Sequence, residues 1–180
     1  MMDKLSKNWL KLKSIPLLKS TLFSIRKDDM LNKRTEKPFE VTILESLDSV
    51  NVIAITKDEK IVFAKQYRFG IEATTLELPG GMLDEGEDPV EAGVRELEEE
   101  TGYIGQKVSY IGKTAAHPVF MNANIHHILV EGASRESETN FDDGEYIEVL
   151  LIDKKDLRAK MKAGEFNHPH TVAALCRIDL

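Results

Sequence analysis

The sequence predicts an α/β domain in which several short strands combine with two or three helices. Apolar segments rich in β-branched residues recur along the chain between turn residues, a pattern typical of strands. A helix start follows in the middle of the chain, and two helical patterns lie near its end. With 180 residues, 42% of them hydrophobic, the chain is long enough for one domain with a substantial core.

Six segments carry the strand pattern: residues 39–44, 50–55, 60–68, 108–113, 125–130 and 146–152. We interpret Lys57-Asp58-Glu59, between the second and third segments, as the turn that joins them.

The first helix is bounded by residues with strong capping preferences. Asp88 is suited to the N-cap, Pro89 to the first helical position, and Glu91 follows the cap by three residues. Gly102 can end this helix in the left-handed conformation. Two more helices are predicted, one at residues 154–163 ending at Gly164, and one at residues 169–178.

The apolar residues and three glutamates of the first helix fall on different faces. Val90, Val94 and Leu97 stand at i, i+4 and i+7 and predict one apolar stripe toward the core. At about 100° per residue, the glutamates at 96, 99 and 100 project within one arc of about 100°. We expect that arc to lie roughly opposite Val90 and Leu97.

The same helix and the loop before it concentrate negative charge. Residues 84–100 contain nine acidic residues and one basic residue, Arg95, and so carry −8 in a chain of net charge −7. Folding around so many mutually repelling carboxylates is most easily understood if cations neutralise them. Three carboxylates on one arc suit a hard divalent ion such as Mg²⁺, which prefers oxygen ligands.

The spacing of these residues resembles the signature of the Nudix hydrolases. The positions that match are Gly81, Glu87, Arg95, Glu96, Glu99, Glu100 and Gly102. Tyr103 fills the last aliphatic position with an aromatic residue, a small departure that affects no catalytic position. A solvated acidic helix is the alternative interpretation, but it does not account for seven specified residues at fixed offsets. The resemblance implies an α/β/α sandwich with a mixed sheet, preceded by an N-terminal β arm.

The resemblance also implies roles for individual residues. Glu96 and Glu100 are the first candidates for Mg²⁺ (or Mn²⁺) ligands, Glu99 is a ligand or a base, and the main-chain carbonyl of Gly80 is a further ligand. Arg95, inside the acidic cluster, is expected to hold the glutamates in position, including Glu87.

In one branch of the family a further glutamate, from a loop late in the chain, serves as catalytic base. Glu145 is the candidate here because it precedes the strand predicted to end at residue 152. Asp143 and Glu148 are its competitors.

The segments around Arg68, Glu77 and Pro118 resemble the ADP-ribose pyrophosphatase branch. Lys65-Gln66-Tyr67-Arg68 precedes Glu77-Leu78-Pro79, and Pro118 lies 15 residues beyond Tyr103. Arg68 suits the phosphates or the terminal ribose. Glu77 suits an adenine or ribose, or is a core carboxylate at a strand end.

The resemblance implies Mg²⁺-dependent hydrolysis of a nucleoside diphosphate linked to another group. ADP-ribose, cleaved to AMP and ribose 5-phosphate, is the favoured substrate. The alternatives are a pyrophosphatase for nucleotide sugars or other nucleotides, and a non-catalytic module that senses a nucleotide. The intact glutamates argue against the non-catalytic module.

The N-terminal segment is basic, with nine basic and three acidic residues in 1–34. A nucleic-acid arm is one interpretation, but apolar residues such as Trp9 and Phe23 favour a structured arm that packs on the body or on a partner. We therefore divide the chain into an arm of residues 1–45 and a hydrolase domain of residues 46–180. We expect a homodimer.

Composition bears on the compartment as well. The single cysteine, Cys176, excludes an internal disulfide and favours a reducing, cytoplasmic location. No apolar run approaches membrane-spanning length, so we expect no membrane partner.

Overall fold

The computed structural model describes residues 5–141 and 144–180. The chain divides into two compact units. The first contains the residues up to Leu47 together with Ala115–Ala123, and the second contains Asp48–Thr114 and Asn124–Leu180. In the described ranges, no helix is both long and apolar enough to cross a membrane.

The first unit contains a three-stranded antiparallel sheet. Its strands are β1 (Trp9–Lys19), β2 (Ser24–Asn32) and β3 (Lys37–Glu45), in the order β1-β2-β3, after a 3-10 turn at Ser6–Asn8. The main chain of Leu44 bonds to Phe120 and Asn122, which ties the segment 115–123 to this unit. The N-terminal β arm is therefore confirmed. Of its strands, only β3 was predicted from periodicity.

The second unit contains a mixed sheet. Its strands are β4 (Ser49–Thr56), β5 (Lys60–Arg68), β6 (Ala73–Glu77), β7 (Tyr103–Ile104), β8 (Lys107–Ala115), β9 (Asn124–Arg135) and β10 (Ile147–Asp153). The order is β10-β5-β4-β9-β7, with β6 on β5 and β8 on β9. Strands β4 and β9 run parallel, whereas β5 is antiparallel to β4, β6 and β10.

Helices cover both faces of this sheet, and they are α1 (Pro89–Thr101), α2 (Lys154–Ala163) and α3 (Pro169–Leu175). Successive residues of a strand point to opposite faces. Val52 therefore packs in one cluster with Leu97 of α1. Ile53 packs in the other with Leu157 of α2 and Leu175 of α3. The expected α/β/α sandwich is confirmed.

The local sequence signals placed most of these elements. All six predicted strands and all three predicted helices form, with β5 and α2 at their predicted bounds. The last helix ends at Leu175, three residues before the predicted end, and β9 extends to Arg135. Strands β6 and β7 were missed because β6 is a polar segment and β7 contains two residues.

The apolar stripe predicted for α1 is partly wrong. Leu97 is buried and Val90 packs at the edge of the core, but Val94 is 37% exposed. Val94 lines a groove of about 600 Å³ on the outer side of α1, together with Val90 and Val108.

Small residues take the place expected for Val94. Ala92 and Gly93 are buried against the sheet. A Cβ atom at Gly93 would stand 2.8 Å from Cγ1 of Ile128, closer than real Cβ contacts allow. The helix therefore lies close to the sheet because small residues face it.

Candidate active site

The loop before α1 is fixed against β4 by main-chain hydrogen bonds. Val52 donates to the Pro79 carbonyl and Val50 to the Gly81 carbonyl, both at 2.8 Å. Gly80, between them, has φ 151°, and a Cβ atom there would lie 1.9 Å from the Val50 carbonyl oxygen. A side chain is excluded at Gly80 both by this contact and by the backbone conformation.

Helix α1 begins and ends where the sequence predicted. The Asp88 carboxylate accepts from the amides of Val90 at 2.8 Å and Glu91 at 3.4 Å. Gly102 has φ 72°, and its amide donates to the Glu98 carbonyl at 2.8 Å. The two caps fix the ends of the helix, so the three glutamates lie in its last two turns.

Arg95 donates to three carboxylates at once. Its Nε and Nη2 bind the two oxygens of Glu87, each at 3.0 Å, while Nη1 binds Glu96 at 2.9 Å and Glu99 at 3.0 Å. Hydrogen bonds from Arg95 and then from the amide of Asp84 lower the pKa of Glu87. Both edges of the guanidinium are thus taken up by carboxylates, which joins the loop to the helix.

Glu100 lies deeper than the sequence analysis placed it. It is 2% exposed and accepts from the Gly80 amide at 2.8 Å, so it borders the core instead of lying opposite it. Burial raises its pKa to about 8, and the charges of Glu96 and Glu145 add to the shift.

The pKa of Glu96 is raised as well. Burial raises its pKa, although Arg95 opposes the shift, and the charges of Glu99 and Glu145 reinforce it. Gly81 allows this close packing, because a Cβ atom there would stand 2.6 Å from Oε1 of Glu96.

Two of the three acidic residues proposed as base, Glu145 and Glu148, lie in the described part of the chain, and they have different surroundings. The charge of Glu145, which precedes β10, acts on both Glu96 and Glu100. Glu148 lies on β10 and accepts from Nζ of Lys65 at 2.8 Å, in an exposed ion pair. Asp143 lies outside the described residues.

Arg68 and Glu77, both expected to bind substrate, bind each other. Nε and Nη2 of Arg68 donate to the two oxygens of Glu77 at 2.8 and 2.7 Å. Burial opposes ionisation of Glu77, yet hydrogen bonds from Arg68 and Thr75 hold its pKa below the usual value. Because Glu77 is 1% exposed, its geometry favours anchoring Arg68 over direct contact with a substrate.

Pro118, the third expected substrate residue, belongs to the first unit. It follows His117, whose carbonyl accepts from the amides of Phe120 and Met121 at 3.1 and 2.9 Å.

The donor set suits a hard cation. In the described part of the chain, no group of three or more acidic, cysteine or histidine side chains stands together as a ready metal site. Arg95 instead engages Glu96 and Glu99, and buried Glu100 shares the cluster with further carboxylates. Carboxylate oxygens whose charge is only partly compensated are the ligands that Mg²⁺ and Mn²⁺ prefer.

Sequence reasoning did not identify His168, whose Nδ1 lies 3.3 Å from Oε2 of Glu77. The proline that follows it marks a helix start, but no local pattern indicates a contact with a residue 91 positions earlier.

Comparisons with known proteins show the family and the fold. A family model described as the NUDIX domain matches residues 46–175. An ADP-ribose pyrophosphatase of Bacillus subtilis (strain 168) is 31% identical in an alignment of 169 residues that covers 91% of this chain and 91% of that protein. A methanol dehydrogenase activator of Bacillus methanolicus is 34% identical over 133 residues, covering 73% of this chain and 72% of that protein. A crystal structure of an ADP compounds hydrolase has the same fold, with a TM-score of 0.82 at 20% identity, covering 94% of this chain and 91% of that chain.

We predict that Glu100 makes the metal-free protein less stable as the pH rises. In the unfolded chain a glutamate has a pKa of about 4.3, whereas in the folded protein burial raises the pKa of Glu100 to about 8. Between these values the folded state holds a proton that the unfolded state has released, so stability falls with increasing pH. Urea unfolding in chelator at pH 6 and pH 8 should show a smaller loss for Glu100→Gln than for the wild type. Glu98→Gln, on the exposed side of α1, is the control; parallel profiles for wild type and Glu100→Gln would contradict the assignment.

Proposed function

Because the chain belongs to the NUDIX family of hydrolases, we propose that it cleaves the diphosphate bond of a nucleoside diphosphate linked to another group. ADP-ribose is the proposed substrate, and AMP and ribose 5-phosphate are the products. The observation that carries the proposal is the carboxylate cluster organised by Arg95 around buried Glu100. The similarity to an ADP-ribose pyrophosphatase over 91% of the chain supports the choice of substrate.

We propose that Glu96, Glu99, Glu100 and the main-chain carbonyl of Gly80 hold Mg²⁺ or Mn²⁺. When bound, the ion neutralises charge on the phosphate oxygens and makes a water molecule more acidic. The role of Arg95 is to keep the glutamates in place, since it is bonded to Glu96 and Glu99.

Glu145 is the proposed general base. A water that attacks phosphorus must lose a proton, and carboxylates engaged by cations are poor acceptors because the positive charge lowers their basicity. Glu96, Glu99 and Glu100 are the proposed ligands of the ion, whereas Glu145 belongs to a separate loop, and its charge acts on Glu96 and Glu100. Gly144, beside it, has open space around it, which suits a loop that adjusts when substrate binds.

Arg68 is the proposed contact to the substrate's phosphates or terminal ribose. Glu77 engages the edge of the guanidinium formed by Nε and Nη2. The edge that carries Nη1 is therefore the one that can meet a substrate anion. Pro118 is likewise proposed to bind substrate.

A second candidate is a nucleotide-binding module that regulates another protein without cleaving its ligand. The relative named as a methanol dehydrogenase activator is the observation in its favour. The intact set of glutamates favours hydrolysis.

A substrate panel with Mg²⁺ tests the proposal directly. It should contain ADP-ribose, an ADP-hexose, NADH and an oxidised nucleoside triphosphate, with release of the corresponding nucleoside monophosphate scored by chromatography. We expect the highest kcat/KM for ADP-ribose. Nucleotide binding without release of a nucleoside monophosphate from any of them would favour the regulatory module.

We further propose a cytoplasmic homodimer with an arm of residues 1–45 and a hydrolase domain of residues 46–180. The arm exposes large apolar side chains, among them Leu10, Leu12 and Leu17, each more than 40% exposed. Apolar surface of this kind marks an interaction site, and a second copy is the simplest partner. A single cysteine, Cys176, suits a reducing compartment.

Activity should depend on a divalent ion. We expect no AMP release in excess chelator and recovery with Mg²⁺ or Mn²⁺. Glu100→Gln should lower kcat by a factor of about 10² or more, because it removes a charge that acts on the transition state. Steady-state kinetics measure the loss of activity, and thermal unfolding shows whether the variant is folded. Full activity in a folded variant would show that Glu100 is not a metal ligand.

Glu145→Gln should lower kcat by a factor of about 10² and leave KM within a few fold, because a base acts mainly in the transition state. Glu148→Gln is the matched control, since it changes a similar carboxylate that is bonded to Lys65. Steady-state kinetics of both variants decide the assignment. Inactivity of Glu148→Gln beside normal Glu145→Gln would assign the base to Glu148, and activity in both would favour Glu99.

The dimer is tested by truncation. In light scattering, the full chain should have twice the mass of the 20.3 kDa monomer. A version starting at Glu36 should be monomeric or less tightly associated. The physical reason is that removal of β1 and β2 takes away most of the exposed apolar residues of the arm. A monomer in both versions would rule out the dimer.

A further inference from the structure

The carboxylate of Glu77 is approached from two sides. Its Oε1 accepts from Nε of Arg68 at 2.8 Å and from the hydroxyl of Thr75, and its Oε2 accepts from Nη2 of Arg68 at 2.7 Å. From the other side, Nδ1 of His168 lies 3.3 Å from Oε2. Strands β5 and β6 and the start of α3 therefore meet at one buried carboxylate.

The surroundings of His168 determine where its proton lies. Nδ1 stands between Oε2 of Glu77 and the hydroxyl of Thr171, which is 3.1 Å away. A lone pair on Nδ1 would repel the carboxylate, so the hydrogen-bond network assigns the proton to Nδ1. Burial lowers the pKa of His168, so the ring is a neutral donor at neutral pH.

Helix α3 holds this donor in place. His168 is the N-cap of the helix, and the helix packs into the core through Leu175. The hydroxyl of Thr171 accepts from the amide of Leu78 at 3.2 Å, so the same helix also fixes the residue after Glu77. The end of β6 is thereby clamped immediately before the loop that carries Gly80.

A neutral donor suits this position better than a cation. A lysine or a protonated histidine would compete with Arg68 for the charge of Glu77 and weaken its hold on the guanidinium. A neutral imidazole places Nδ1 3.3 Å from Oε2 without adding a positive charge, so the charge of Glu77 is left to Arg68. The Glu77 carboxylate is then held in one orientation. Because Arg68 is bonded to it through Nε and Nη2, the direction in which Nη1 points is fixed as well.

We infer that His168 is a positioning residue for substrate binding, which acts through Glu77 on the orientation of Arg68. The inference rests on the proposed contact between Arg68 and the substrate. It predicts that His168 affects binding far more than turnover, and only while Arg68 is present.

A double-mutant cycle with a matched control tests it. The variants are His168→Ala, His168→Asn, Arg68→Ala, the double variant His168→Ala/Arg68→Ala, and His170→Ala as control. His170 is on the same helix, and its ring centroid lies 5.3 Å from that of His168. For each, kcat and KM for ADP-ribose are measured with Mg²⁺, and Kd for ADP-ribose is measured by calorimetry in chelator.

Loss of one donor to a buried carboxylate should weaken binding through Arg68 by about 10-fold. His168→Ala should therefore raise KM and Kd by that factor, with kcat within about threefold of the wild type. His168→Asn keeps an N–H near the position of Nδ1 and should recover most of the binding. His170→Ala should change Kd by less than about twofold, and His168→Ala should have a similarly small effect in the Arg68→Ala background.

Each other outcome has a defined meaning. An equal effect of His168→Ala with and without Arg68 would show that the histidine does not act through the arginine. An unchanged Kd in both His168 variants overturns the inference alone, provided that Arg68→Ala weakens binding. If Arg68→Ala leaves Kd unchanged, the proposed role of Arg68 is wrong and the inference fails with it. Should His168→Ala not fold, His168→Leu, which also lacks a donor but fills more of the space, replaces it in both backgrounds with the same expected results.

Discussion

The site depends on one arginine that holds mutually repelling carboxylates at hydrogen-bonding distance. Arg95 links Glu87 of the loop to Glu96 and Glu99 of α1. A guanidinium can do this because its N–H groups form a planar fork, whereas an ammonium is a point charge without that geometry. Loop and helix are thus joined by charge. Burial and the charges of Glu96 and Glu145 raise the pKa of Glu100, and a divalent ion at the proposed site would compensate these charges.

The second constraint is space, and glycines provide it. A side chain at Gly80 would collide with Val50, one at Gly81 with Glu96, and one at Gly93 with the sheet. These close approaches bury Glu100 and raise its pKa to about 8, which destabilises the metal-free protein at neutral pH and above. Residues with strongly shifted pKa values are common at functional sites. A charged ligand there can supply the electrostatic stabilisation that the folded protein alone does not give to the ionised residue.

Local signals made the fold and the centre of the site predictable. The Asp88 and Gly102 caps, the α1 glutamates and the strand pattern at residues 60–68 are written in neighbouring residues. Strands β1 and β2 were not predicted because their apolar residues do not alternate regularly with polar ones; β1 is largely exposed and β2 is largely half-buried. The burial of Glu100 and the contact of His168 with Glu77 depend on residues distant in sequence, so periodicity does not encode them.

Two arginines, Arg95 and Arg68, differ in how much of the guanidinium is bonded to glutamates. Both Arg95 and Arg68 form a two-point pair with a glutamate through Nε and Nη2. Nη1 of Arg95 is also bonded to glutamates of α1, so both of its edges serve the fold. Arg68 has one edge fixed by a buried glutamate, while its side chain is 44% exposed. A guanidinium that is immobilised on one edge and accessible on the other has already lost the rotamer freedom that binding would otherwise cost. The hydrogen bonds of Arg95 support its proposed role in holding the glutamates in place, and the exposed part of Arg68 supports its proposed role in binding substrate.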